Sequence, residues 1–224
     1  MFLLASSRRV VSTLSSSKKS SSLDIHATLL RRSISKLVGS AKEALSDLDL
    51  HGAKVAIGGF GLGGNPETLV AELATAPNAS NLTVASLTGG VDGKGIGLLL
   101  EAQKVKRLIS SYVGENKYLE TAFFGGDLEI ELTPQGTIAA RLHAAGAGMP
   151  AFYTPTGAGT IYAQGGIPIR YKKGQPGVVE VESEPRETRV FDDGIEYVME
   201  HAFKTDLALV KAYSKCNKIS LQFT

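Results

Sequence analysis

The sequence predicts an α/β fold, an open and mostly parallel sheet with flanking helices, plus a small antiparallel portion near residues 178–191. Three observations predict it. Apolar runs of strand length at 54–57, 82–86, 105–113 and 128–132 alternate with helix-like segments, the rhythm of βαβ units. A glycine-rich turn at 58–64 leads straight from the first run into a helix start. The 224 residues are 43% apolar with 25 glycines, enough to bury a core and inconsistent with disorder throughout.

The first 36 residues stand apart. They hold eleven serines, seven cations (Arg8, Arg9, Lys18, Lys19, Arg31, Arg32, Lys36) and a single acid, Asp24. An Arg- and Ser-rich, acid-poor leader without an apolar h-region has the composition of a mitochondrial targeting presequence rather than a secretory signal. A basic tail with no address is the plainer alternative. Residues 1–36 are therefore read as presequence and 37–224 as the folded domain, with a matrix location expected. The leader also carries the chain's net charge of +2. The body alone is mildly acidic, which argues against nucleic acid as a partner. No run approaches the ~18 apolar residues of a membrane span. One cysteine, Cys216, excludes a disulfide framework, and four scattered histidines give no metal cluster.

Along the body, Ser40 and Glu43 have capping-box spacing, which starts a helix over 41–48. The run at 54–57 reads as a buried parallel strand. After the glycine turn, Asn65 as N-cap, Pro66 at the first helical position and the acid Glu67 announce a helix whose apolar face is Leu69, Val70, Leu73 and Ala74. A strand at 82–86, a helix at 96–103, a strand at 105–113, a helix at 116–124, a strand at 128–132 and a helix at 137–145 follow. An extended segment opens at Ala151. Residues 154–176, rich in glycine and proline, read as a long ordered loop. The stretches 178–181 and 188–191 read as antiparallel strands joined across Pro185, and 207–212 as a last buried strand.

The glycine turn contains Gly59, Gly61 and Gly64 in G-x-G-x-x-G spacing between strand and helix. One reading is a dinucleotide-binding turn, with backbone N–H groups facing a pyrophosphate. That reading needs an acid near the end of the second strand for the ribose, and residues 79–90 contain none. The plainer reading is a tight strand-to-helix turn.

The flanking residues supply a third reading. Gly58-Gly59-Phe60 with Gly64 and Pro66 resembles the first signature of the family I CoA-transferases. Residues 110–116 (SSYVGEN), 131–137 (ELTPQGT), 150–157 (PAFYTPTG) and 208–212 (ALVKA) match the same family in the same order. The resemblance covers about 41–213 and is to the N-terminal half of succinyl-CoA:3-oxoacid CoA-transferases, or to the separate A-type polypeptide of bacterial relatives. It implies a Rossmann-like A domain. It also implies CoA transfer between succinyl-CoA and a short-chain 3-oxo acid such as acetoacetate, as in ketone-body catabolism. The CoA thioester is then a substrate, with no metal or redox cofactor. The expected partner is a B-type half or a homo-oligomer such as a dimer. An acetate:succinate exchange, and a non-catalytic partner module, are the alternatives.

In such enzymes a glutamate attacks the acyl-CoA thioester to form an acyl-glutamyl anhydride. The CoA thiolate then returns to make a glutamyl-CoA thioester, which the second carboxylate opens by the reverse route. Each step passes through an oxyanion that needs aimed donors. The family's nucleophile sits in a Ser-Glu-Asn-Gly block, and this chain has none. No catalytic residue is thus expected here, and the 224 residues by themselves are expected to be inactive. Pocket candidates are Gly59, Phe60, Gly61, Gly64, Tyr112, Glu115 and Gln135. For Glu115-Asn116 the plainer reading is a polar loop whose Asn116 caps the next helix. Leu87 stands where relatives carry an asparagine whose amide serves the oxyanion. Beyond Ala212 the family pattern stops, and the A domain is expected to be incomplete at its C-terminus.

Overall fold

A computed structural model describes residues 38–212 together with the two-residue strands at 5–6, 214–215 and 221–222. The rest of the leader expected to be a presequence lies outside the described residues. The strands are β1 (Ala5–Ser6), β2 (Lys54–Ile57), β3 (Leu82–Ala85), β4 (Val105–Ser110), β5 (Glu129–Leu132), β6 (Ala151–Thr154), β7 (Pro168–Tyr171), β8 (Val179–Glu182), β9 (Thr188–Val190), β10 (Glu196–His201), β11 (Leu207–Leu209), β12 (Ser214–Lys215) and β13 (Leu221–Gln222). The helices are α1 (Ala41–Leu45), α2 (Glu67–Thr75), α3 (Gly97–Glu101), α4 (Lys117–Phe124), α5 (Gln135–Gly146) and α6 (Ile161–Gln164).

The central sheet has the order β1-β11-β2-β3-β4-β5. From β11 to β5 every pair is parallel, and β1 joins the edge antiparallel to β11. Strands covered on both faces read as continuous apolar runs, as Val55, Ile57, Val84, Leu108 and Ile109 do, all at least 96% buried. Helices α1 to α4 pack in sequence over one face, where Leu45, Leu69, Leu73, Leu99 and Leu119 close the main core. Helix α5 lies against β4 on the other face, with Ile138 and Phe203 packed on Ala85 and Ile109.

The capping box forms as the spacing demands. Ser40 Oγ accepts from the Glu43 amide at 3.1 Å, and Glu43 Oε2 reaches back to the Gly39 amide at 2.9 Å. The helix it starts is shorter than expected, ending at Leu45. Asn116 caps α4 by accepting from the Leu119 amide at 2.9 Å. The other helix-start signal misled. Asn65 makes no cap; Pro66 takes that position and α2 begins at Glu67. The Asn65 side chain turns back instead to the Gly61 carbonyl, 2.8 Å away.

The antiparallel portion is larger than expected and paired differently. Strand β8 pairs with β7, inside the stretch read as a loop, and β9 pairs with β10, which the sequence reading missed. Strand β6 leaves the parallel sheet and joins β10 antiparallel. The physical reason is partner availability: β5 already closes the parallel sheet on that side. The hairpin β7–β8 packs beside β5 and α4.

Ion pairs stitch this portion to the sheet. Glu129 on β5, 6% exposed, takes Arg107 at 2.7 Å and Arg170 of β7 at 2.8 Å. Arg141 on α5 bridges Glu131 at 2.7 Å and approaches Glu200 of β10 at 4.0 Å. Glu200 also accepts from Arg186 at 3.0 Å and from the Tyr162 hydroxyl at 2.7 Å. The Arg186 guanidinium lies 3.8 Å from the Tyr162 ring centroid. Covering an edge strand with charged partners also removes it as a template for aggregation.

Candidate functional site

In open parallel sheets, sites form beyond the carboxyl ends of the strands, where the order of winding reverses. Here β2 to β5 progress in one direction and β11 returns on the other side of β2, so the reversal falls between β2 and β11. The glycine loop leaves β2 at that point. The Gly58 amide donates to the Leu209 carbonyl of β11 at 2.9 Å, which places Val210 and Lys211 beside the loop.

Four successive strand ends carry the candidates along one edge. The glycine loop follows β2, Leu87 follows β3, Tyr112 follows β4 and Gln135 follows β5. At about 4.8 Å per strand spacing, the edge from β2 to β5 spans about 14 Å, the scale of an extended ligand.

The glycine loop is a small closed hairpin. The Phe60 amide donates to the Gly63 carbonyl and the Gly63 amide to the Phe60 carbonyl, both at 2.9 Å. Phe60 and Leu62 stand out at its tip, 65% and 51% exposed. Gly59, Gly61 and Gly64 have φ of +121°, +56° and +70°, conformations that L side chains rarely adopt. Gly59 is also required by space, since a Cβ there would fall 1.9 Å from Asn65 Oδ1. Among the described residues, the N–H groups of Gly61, Leu62 and Gly64 donate to no other group.

Leu87 is half-buried, and its carbonyl accepts from the Ser111 hydroxyl at 2.7 Å. Tyr112 lies past the end of β4, whose ladder stops at Ser110, and extends it only through a bridge to Thr88. Its ring is 59% exposed on the edge. Gln135 is the first residue of α5, two earlier than the expected start, and is exposed. Glu115 is exposed in the same loop as Tyr112, while Asn116 is buried. The Asn116 side chain donates to the Gly89 carbonyl at 3.2 Å besides capping α4. The capping reading of Glu115-Asn116 is the one the geometry bears out. His143 is exposed on α5, away from the strand ends.

Two positions were missed by sequence reasoning. Asn65 is a buried loop anchor rather than a cap; a polar side chain before Pro gives the same local signal in both roles. Tyr162 sits in the stretch read as loop, 7% exposed, against Arg186 and Glu200. Burial first, then the hydrogen bond to Glu200, push its hydroxyl well above the ordinary tyrosine range. Only the charges around it, which are distant in sequence, mark it out.

The model of the family described as Coenzyme A transferase matches residues 17–224. The chain belongs to the coenzyme A transferase family. That match runs beyond 41–213 at both ends. The A-type half of a probable succinyl-CoA:3-ketoacid coenzyme A transferase from Mycobacterium tuberculosis is 50% identical over 178 residues, covering 80% of this chain and 70% of that protein. The human succinyl-CoA:3-ketoacid coenzyme A transferase 2, mitochondrial, is 48% identical over 178 residues, covering 80% of this chain but 34% of that protein. The chain thus spans about a third of the length of that mitochondrial relative. Among solved structures, an acyl-CoA transferase apoenzyme from Escherichia coli O157:H7 superposes with a TM-score of 0.63 at 26% identity, over 78% of this chain and 34% of that one. Glutaconate coenzyme A-transferase from Acidaminococcus fermentans shares the fold, with a TM-score of 0.60 at 20% identity, over 78% of this chain and 56% of that one.

Proposed function

We propose that this chain is the A half of a CoA-transferase that moves CoA from succinyl-CoA to a 3-oxo acid such as acetoacetate. The observation that carries the reading is the 50% identity to a bacterial protein named as that half, over 178 residues. The strand-end geometry supports it. The edge offers donors (the free loop amides, the Tyr112 hydroxyl, the Gln135 amide) suited to a thioester carbonyl and its oxyanion. Its one glutamate, Glu115, is exposed beside a cap. The attacking carboxylate therefore comes from a B-type half, and this chain supplies the opposing wall. The wall binds and orients the acyl-CoA; it does not carry the covalent intermediate. With homologues named mitochondrial and a leader of transit-peptide composition, we assign the work to the mitochondrial matrix.

The test pairs the purified chain with a B-type half and follows acetoacetyl-CoA formation from succinyl-CoA and acetoacetate. Turnover is expected only in the mixture, with a glutamyl-CoA mass increase on the B half. A CoA adduct on the isolated chain overturns the division of labour, and transfer to acetate but not to acetoacetate overturns the acceptor. Residues 1–40 fused to a reporter are expected to direct mitochondrial import; a cytosolic, untrimmed reporter refutes that assignment.

A further inference from the structure

We infer that Asn65 is a positioning residue for acyl-CoA: its buried carboxamide holds the glycine loop in the one shape that leaves the loop amides free for the ligand. The inference rests on the proposed CoA-transfer reading and deepens it at the loop after β2.

The observations are local and mutually consistent. Asn65 is 6% exposed although it sits in a surface turn. Its Nδ2 donates to the Gly61 carbonyl at 2.8 Å, at the tip of the loop. Its Oδ1 fills the place where Gly59 would carry a Cβ, and Nδ2 lies 3.4 Å from where Gly95 would carry one. One amide thus touches three glycines of positive φ from two different loops, after β2 and after β3. At the neck, a Cβ on Gly64 would lie 3.8 Å from the Gly59 Cα, so the two ends of the loop nearly meet. With the Gly61 carbonyl drawn inward by Asn65, the Gly61, Leu62 and Gly64 amides are left without partners among the described residues. Without that bond, the Gly61 peptide is free to rotate and its carbonyl, an acceptor, can face the ligand instead. An anionic or developing oxyanion ligand would then meet repulsion where it had met a donor. Asn65 touches no reacting atom in this reading; it acts through the loop.

Asn65→Leu, Asn65→Ser and Gly59→Ala, each combined with a B-type half, test it. Loss of one buried hydrogen bond of about 1.4 kcal/mol corresponds to about tenfold. The Asn65 variants are expected to raise KM for succinyl-CoA about tenfold while kcat at saturation changes less than about threefold. Amide exchange at Gly61 and Leu62 should accelerate in the isolated chain, with exchange in β2 unchanged. Gly59→Ala, which places a methyl group on the same contact, should show the same signature, and combining it with Asn65→Ser should add little to it. A merely structural role would lower the melting temperature and the active fraction with KM unmoved. Wild-type KM and loop exchange in Asn65→Leu overturn the inference. Should the wild-type mixture transfer no CoA, the functional reading fails, while the exchange measurement still decides whether Asn65 holds the loop.

Discussion

Glu200→Ala is expected to be among the most damaging single substitutions far from the strand-end edge. Glu200 is 3% exposed on β10. One carboxylate oxygen accepts from Arg186 at 3.0 Å and from Tyr162 at 2.7 Å, and the other faces Arg141 at 4.0 Å. Truncation leaves the buried Tyr162 hydroxyl without its acceptor and Arg186 without its anion. Arg186 keeps only the Tyr162 carbonyl, at 2.6 Å. Arg141 is better insured, since Glu131 holds it at 2.7 Å and the His201 carbonyl at 3.0 Å. Removing one partner of a buried ion pair costs about 3–5 kcal/mol, because the other charge stays desolvated. For a chain of this length that corresponds to a fall of roughly 6–20 °C in melting temperature. Glu200→Gln, which keeps an acceptor for Tyr162 but no charge, should fall between wild type and Glu200→Ala. The assay is urea unfolding followed by far-UV circular dichroism. A Glu200→Ala protein within about 1 kcal/mol of wild type, or a Gln variant no better than the Ala variant, would refute the assigned role of the network.

Three further outcomes are expected. The Tyr162 hydroxyl is raised in the fold above its ordinary value of 10.0, so its stabilisation is fully present below pH 10 and is lost as pH rises through the higher folded value. The stability gap between wild type and Tyr162→Phe should therefore shrink from pH 9 to pH 11, and a constant or widening gap in thermal melts counts against it. Asn116→Ala removes both the α4 cap and the donor to Gly89 and should cost about 1–2 kcal/mol in urea unfolding, with Asn116→Asp, which keeps the cap, costing less; equal losses would show the Gly89 bond to be idle. Leu87→Asn in the completed two-half enzyme should raise turnover toward the ~10²–10³ that one oxyanion donor contributes, and unchanged kcat would show that Leu87 does not occupy a donor's place.

Features governed by short-range rules were legible in the residues themselves. The runs at 54–57, 82–86, 105–113 and 128–132 became β2 to β5 because strands buried on both faces must be apolar throughout. The Ser40–Glu43 box and the Asn116 cap formed because their partners lie within four residues. The glycine turn, with Tyr112 and Gln135 at neighbouring strand ends, was legible for the same reason. Tertiary structure decided what depended on distant partners. Strand β8 reads Val-Glu-Val-Glu, an alternation that marks a half-buried strand but not its neighbour. Only the closed edge at β5 and the ion pairs from Glu129 and Glu200 set it against β7 and left β9 to β10. Asn65 shows the same limit at a single residue. Before Pro66 and Glu67 it carries every local sign of a cap, yet burial beneath three glycines gives its amide a different partner. Local signals fix which residues turn, but packing fixes which way a side chain faces once the turn is made.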